Sequence, residues 1–230
     1  MKKKIVITAL ILLFVSAVSY HIFAIKSEIN KNVLLEKQYQ SGDFSKTYLF
    51  YVSQEIVVED RPAVGTNPVT MIYVVDFTSQ ASKEALQNTL NTIQENYGTE
   101  KDFTRMYKYL ISKEEYQEKS GKYLYAIASQ CMLRNQLPDV DQKILLLFDL
   151  TESEIANMLT EQNLSLNECI KTEDVTLYED MIQTTTYRMY SPSIYIGVNG
   201  RQNTVLYGDP VKEKLLKRIR EKQIAIGEKI

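Results

Sequence analysis

Asp76-Phe77-Thr78-Ser79-Gln80-Ala81-Ser82-Lys83 follows the apolar run Met71–Val75, and the fold turns on how this stretch is read. Val69–Phe77 is nearly continuous apolar and β-branched, the pattern of a central strand covered on both faces. Small and polar residues then break the run. Beyond them Leu86, Leu90, Ile93 and Tyr97 recur at spacings of four, three and four, and Gly98 ends the pattern. That is one face of a helix with a glycine stop. Ser82 is placed as the N-cap of this helix, with Ala85 in the third helical position leaving its capping box incomplete. The stretch therefore predicts a strand, a short loop and a helix start.

Working outward, the segment before it contains Pro62, Gly65, Asn67 and Pro68, which reads as a loop. Gln54–Asp60 is strand-like around Ile56, Val57 and Val58. After the helix, Phe103–Ile111 alternates Phe103, Arg105, Tyr107 and Tyr109 against Met106, Lys108 and Leu110, predicting a second strand. Residues 113–185 read as helices: Glu114–Leu133, Val140–Phe148, Glu152–Glu161, a short Leu166–Ile170 segment, and Val175–Tyr187. Ser193–Val198 is then a strand, Asn199-Gly200 a type I′ hairpin signal, and Thr204–Tyr207 the return strand. Val211, Leu215, Leu216 and Ile219 form the apolar stripe of a last amphipathic helix. The order β-α-β, helical block, β-β-α gives an α/β, thioredoxin-type sheet with helices inserted at about 113–185.

The N-terminus is of another kind. Lys2, Lys3 and Lys4 precede Ile5–Ile25, 21 residues without a formal charge. As a helix this run is roughly 31 Å long, enough to cross a bilayer core. Cations before it hold the N-terminus in the cytoplasm and send the body outside. The expectation is a signal anchor over 1–25, a polar juxtamembrane stalk over 26–45, and a domain over 46–230. Cleavage after Ala24 is the rival reading, although Ile22 then stands where a small residue is usual. Either way the body is extracytoplasmic: single-pass at the membrane, or secreted.

Composition removes several function classes. The net charge is −2, and −5 once Lys2, Lys3 and Lys4 are set aside, so the body has no basic excess for nucleic acid. The single histidine, His21, lies within the apolar run. A Ser-His triad and a histidine metal site are thereby excluded from the body, and no cofactor or metal is expected. Cys131 and Cys169 are the only cysteines, and in an exported chain two cysteines most often pair. Sixteen tyrosines and no tryptophan fall mostly in predicted strands and helices, where packing accounts for them. Tyr187 and Tyr190, near Pro192, are candidates for lining a groove.

These segments together resemble the DsbA family over roughly residues 56–225. Pro68-Val69-Thr70 through Lys83 is similar to the family's strand, Asp-Phe step and active-site turn. Tyr190-Ser191-Pro192-Ser193-Ile194-Tyr195-Ile196, with Val198-Asn199-Gly200, resembles the cis-proline segment. Ala126–Cys131 and Leu164–Cys169 resemble the two places where many relatives carry a second cysteine pair. The resemblance would put the nucleophilic and resolving cysteines on Ser79 and Ser82. A hydroxyl ionises far less readily than a thiol and forms no disulfide, so exchange is unavailable at this turn. The resemblance also implies that Pro192 is cis and that Ser191 and Pro192 hold an extended peptide by strand addition.

The function expected is a binding, chaperone-like or scaffolding module for an extracytoplasmic protein or an unfolded polypeptide. Two alternatives stay open. One is thiol–disulfide exchange at Cys131/Cys169. The other is an enzyme like the kappa-class glutathione transferases, whose active-site turn Asp76-x-x-Ser79-x-x-Ser82 also resembles; there Ser79 would act on bound glutathione.

Overall fold

The computed structural model describes residues 48–52, 56, 61–97, 103–119, 121–208 and 212–227. The expected anchor and stalk, and most of Gln54–Asp60, lie outside them. Among the described residues no helix is long and apolar enough to cross a membrane. The elements in order are β1 (Tyr48–Val52), β2 (Ala63–Val64), β3 (Val69–Val75), α1 (Gln80–Tyr97) and β4 (Thr104–Tyr109). Five helices follow: α2 (Lys113–Glu118), α3 (Gly121–Arg134), α4 (Val140–Leu147), α5 (Glu152–Glu161) and α6 (Leu166–Thr186). The chain ends with β5 (Ser193–Val198), β6 (Arg201–Tyr207) and α7 (Lys212–Ala225).

The strands form one sheet in the order β1-β6-β5-β3-β4-β2. Among the described strands only β3 and β4 run parallel, and α1 is the crossover that a parallel pair requires. Every residue of β3 is buried, because both faces of the sheet are covered. On one face Met71, Tyr73 and Val75 join Leu86, Leu90 and Ile93 of α1, Leu215 and Ile219 of α7, and the apolar side of α3. On the other, Ile72 and Val74 join Met106, Tyr195, Val205 and Met189. Burying each aliphatic side chain this way contributes about 1.5–3 kcal/mol.

The β5–β6 connection is the expected Asn-Gly turn: Asn199 and Gly200 have φ of 47° and 72°, the two positive values a type I′ turn needs. Two short strands escaped the sequence reading. β1 pairs with β6 as an outer strand, and β2 sits inside the expected loop, with only two residues to show a pattern.

Two helices differ from expectation. The predicted helix over Glu114–Leu133 is two helices, since Lys119 takes a left-handed conformation (φ 53°) and its N–H closes α2 onto Glu115 and Tyr116. α2 starts from a complete capping box, Ser112 with Glu115. Conversely, the two predicted segments Leu166–Ile170 and Val175–Tyr187 are one helix, α6. Its inward face carries Glu173 and Asp180 among Cys169, Leu177 and Met181, and those charges hid the apolar period. Both carboxylates are matched: Glu173 takes the Arg134 guanidinium, and Asp180 lies 2.6 Å from Lys108 Nζ and accepts from Gln130.

Candidate functional site

The site forms where β3 ends. Ser79 N donates to Asp76 O at 3.0 Å, closing a tight turn, and α1 begins at Gln80. Ser79, and not Ser82, caps the helix: its Oγ accepts from the backbone N–H of Ser82, three residues on, at 3.2 Å. This corrects the N-cap placement. The helix starts three residues earlier than its apolar period indicates, because Gln80 and Ala81 complete a first turn that has no large apolar residue.

Ser82 is thereby carried inside the first turn and points inward, 2% exposed. Its Oγ accepts from the backbone N–H of Asp76 at 3.1 Å and from Ser191 Oγ at 2.8 Å. Ser191 comes from the segment before β5, which the sheet places beside β3. The Ser191–Pro192 peptide bond is cis. Pro192 O accepts from Gly208 N at 2.9 Å, which fixes the segment to the end of β6. The structure therefore brings Ser79, Ser82, Ser191 and Pro192 to one place. Ser191 is only 1% exposed, and Pro192 is buried too, so the accessible edge is formed by Thr78, Ser79 and Gln80.

Four features of the site were not read from the sequence. Asp76 Oδ1 accepts from both the N–H and the hydroxyl of Thr78, which rigidifies the turn. Lys122 of α3 stands 3.4 Å from the same oxygen and 3.2 Å from Glu115. Burial opposes the Lys122 charge, but Asp76 and Glu115 outweigh it and hold its pKa above the ordinary lysine value. Phe77, behind the turn, packs against Tyr109, Tyr125 and Phe148. Lys83 Nζ pairs with Asp149 at 2.6 Å, tying the first turn of α1 to the α4–α5 loop. An Asp directly after a buried strand was the one available signal, since a carboxylate there needs a partner; which lysine supplies it depends on the packing of α3.

Cys131 and Cys169 form a disulfide joining α3 to α6, and they are 3% and 1% exposed. As these are the only cysteines of the chain, no free thiol exists anywhere in it once they are joined. Tyr187 is half-buried against the second core cluster, and the Tyr190 ring stands edge-on to Tyr207 at 6.1 Å. Among the described residues no cluster of His, Cys, Asp and Glu is arranged to hold a metal ion.

No protein-family model and no curated protein matches the chain. Its structure, however, superposes on solved thioredoxin-fold proteins. Oxidised BdbD from Bacillus subtilis aligns with a TM-score of 0.57 and 16% identity, covering 75% of this chain and 97% of that one. Wolbachia pipientis alpha-DsbA1 gives 0.56 and 13%, over 74% and 96%. Salmonella enterica Typhimurium BcfH gives 0.57 and 14%, over 91% and 88%. The chain has a DsbA-like thioredoxin fold.

Proposed function

We propose that this protein is a redox-inactive, DsbA-like binding module outside the cytoplasm, tethered by its N-terminal apolar run, that holds an extracytoplasmic protein or an unfolded polypeptide. One observation carries the reading. Both hydroxyls at the turn are engaged in bonds internal to the protein, and both cysteine sulfurs of the chain lie in one buried disulfide. Exchange requires a thiolate to attack a disulfide sulfur. This turn has no thiol to ionise, and an external thiolate must reach the sulfurs of residues only 3% and 1% exposed. What the frame retains is a rigid turn, with Thr78, Ser79 and Gln80 presented at its edge.

The serines satisfy the groups a dithiol would otherwise touch. Ser79 takes an orphan N–H of α1, and Ser82 joins the turn to the proline segment, so the frame keeps its shape without sulfur. Such a surface suits recognition by shape and backbone bonding, with no covalent step.

The test uses the protein purified from membranes with its N-terminal segment. A photo-reactive amino acid at Gln80 should crosslink an envelope protein in cells, and the protein should delay aggregation of a thermally unfolded client. Insulin reduction should be absent from it and from Cys131→Ser alike. Absence of both crosslink and delay would remove the reading. An insulin signal lost in Cys131→Ser would make the protein an oxidoreductase, and calorimetric binding of glutathione abolished by Ser79→Ala would favour the transferase-like alternative.

A further inference from the structure

A second site lies where α2, α3 and α6 meet. Tyr116 of α2 and Tyr123 of α3 stand edge to face, with centroids 5.6 Å apart and planes at 75°. The Tyr123 hydroxyl donates to Asp174 Oδ1 of α6 at 2.7 Å, and the Tyr116 hydroxyl to the Asp174 carbonyl at 3.3 Å. Two rings and a carboxylate are thus held together by bonds among themselves. The ammonium of Lys119 sits in this assembly, 4.4 Å from the Tyr116 centroid, 4.1 Å from that of Tyr123, and 2.6 Å from Asp174 Oδ1.

That is the chemistry of a cation-binding aromatic cage, in which ring faces and one carboxylate replace water around an ammonium. The two hydrogen bonds that join the rings to Asp174 do not pass through Lys119. The lysine is the C-cap of a six-residue helix, it caps through its backbone N–H, and its side chain is 44% exposed. Its side chain is an occupant of the cage, and the bonds that join the walls do not depend on it.

An apolar track begins beside the cage. Val175, adjacent to Asp174, is 67% exposed, Tyr178 45% and Ile182 46%, at spacings of three and four along α6. Tyr178 also packs on Tyr116, at 5.3 Å, so the track is continuous with the cage wall. Negative charge at the cage and apolar surface beyond it define the complement: a primary ammonium on a flexible stem, followed by apolar side chains.

From this we infer that Tyr116, Tyr123 and Asp174 form an ammonium-binding cage, filled in the free protein by Lys119, that receives a lysine side chain of a bound polypeptide whose apolar residues lie along Val175, Tyr178 and Ile182. This goes beyond the turn described above and stands or falls separately from it.

The experiment titrates n-butylammonium chloride, a mimic of the lysine side chain, against sodium chloride at equal ionic strength, read by tyrosine fluorescence. Lys119→Ala should bind it at least tenfold more tightly than the unaltered protein, and Lys119→Ala/Asp174→Asn should lose that gain. A peptide with one lysine followed by two leucines should compete with butylammonium on Lys119→Ala. The same peptide with norleucine for lysine should bind at least tenfold more weakly. Ile182→Ser, on the track but away from the cage, should weaken the peptide and leave butylammonium unchanged. Lys119→Gly, suited to the left-handed backbone there, replaces the alanine variant if that one folds poorly. A folded Lys119 variant that binds butylammonium no better than the unaltered protein would overturn the inference, as would a gain that survives Asp174→Asn.

Discussion

Replacing Ser79 and Ser82 by cysteine should turn this protein into a thiol–disulfide oxidoreductase. A sulfur at position 79 inherits the cap: as a thiolate it accepts the Ser82 N–H, now a hydrogen bond to a charged group worth about 1.5–3 kcal/mol. It also faces the N-terminus of an 18-residue helix, worth a further 0.3–1 kcal/mol or so. Half-burial of the position opposes ionisation, so about 2–3 kcal/mol remains. At 1.36 kcal/mol per unit, that brings a thiol of ordinary pKa near 8.5 down to about 6–7. The thiolate fraction at neutral pH should rise from about 3% to between about half and about nine-tenths. Position 82 supplies the buried resolving thiol. The cost is the two hydrogen bonds that Ser82 accepts from Ser191 and from the Asp76 N–H, about 0.5–1.5 kcal/mol of stability each. Ultraviolet titration of the thiolate in Ser79→Cys gives the pKa, and insulin reduction by the double variant gives the activity. The single Ser79→Cys variant should show the lowered pKa without turnover. A double variant that melts within a few degrees of the unaltered protein, yet keeps an unshifted thiol pKa and no reductase activity, would refute the placement of Ser79 at the helix cap.

Three further outcomes are expected. Cys131→Ala/Cys169→Ala should lose about 4 kcal/mol in urea unfolding, from the loop of 38 residues that the bridge closes, with no change in client holding; a loss under about 1 kcal/mol would mean that the α3–α6 packing alone restrains the unfolded chain. Lys108→Met should cost about 3 kcal/mol, because Asp180, 3% exposed, is left without its ammonium, and Lys108→Met/Asp180→Leu should recover part of that loss. Equal losses in the single and double variants would show that Gln130 and Arg61, whose guanidinium stands 3.7 Å from Asp180 Oδ1, suffice for Asp180. Burial raises the Asp174 pKa, but bonds from Lys119, Tyr123 and Tyr116 outweigh it and hold the carboxyl below its ordinary value. A depressed carboxylate adds stability above its unfolded pKa and loses it as pH falls through the folded one. The melting temperature should accordingly drop below about pH 4, with a shallower drop in Asp174→Asn; identical pH profiles would exclude Asp174 as a contributor.

Much of this fold was legible because the sheet and its two flanking helices obey single-period rules. Val69–Val75 is apolar on both faces, the α1 positions Leu86, Leu90 and Ile93 all point into one cluster, and Asn199-Gly200 sets its own turn. The helical block was legible only where its inward face was apolar. The apolar period of α6 is interrupted at Glu173, a charge that has 0% exposure because Arg134 reaches it from α3. No periodicity argument registers a buried carboxylate, since its partner lies 39 positions away. α2 and α3 were fused for the opposite reason: a left-handed lysine ends a helix as well as a glycine does, but without a compositional mark.

The site divides along the same line. Which residues meet at the turn could be read by likeness, because β3, the turn and the proline segment are contiguous strings with characteristic composition. How the hydroxyls bond could not. A serine three residues into a helix and a serine at its cap differ only in where the first turn begins, and neither Gln80 nor Ala81 carries an apolar signal to fix that. The outcome matters chemically. With Ser82 at the cap, its oxygen would face the ligand edge. With Ser79 at the cap, Ser82 turns inward and bonds to Ser191, so the oxygen in the resolving position becomes part of the scaffold. The outer hydroxyl alone borders the accessible edge, and it is already accepting a backbone N–H. An alanine at Ser82 should therefore lower stability by about 2 kcal/mol through the lost Asp76 and Ser191 bonds while leaving client crosslinking at Gln80 unchanged. A variant that kept its stability and lost the crosslink would place that oxygen at the ligand after all.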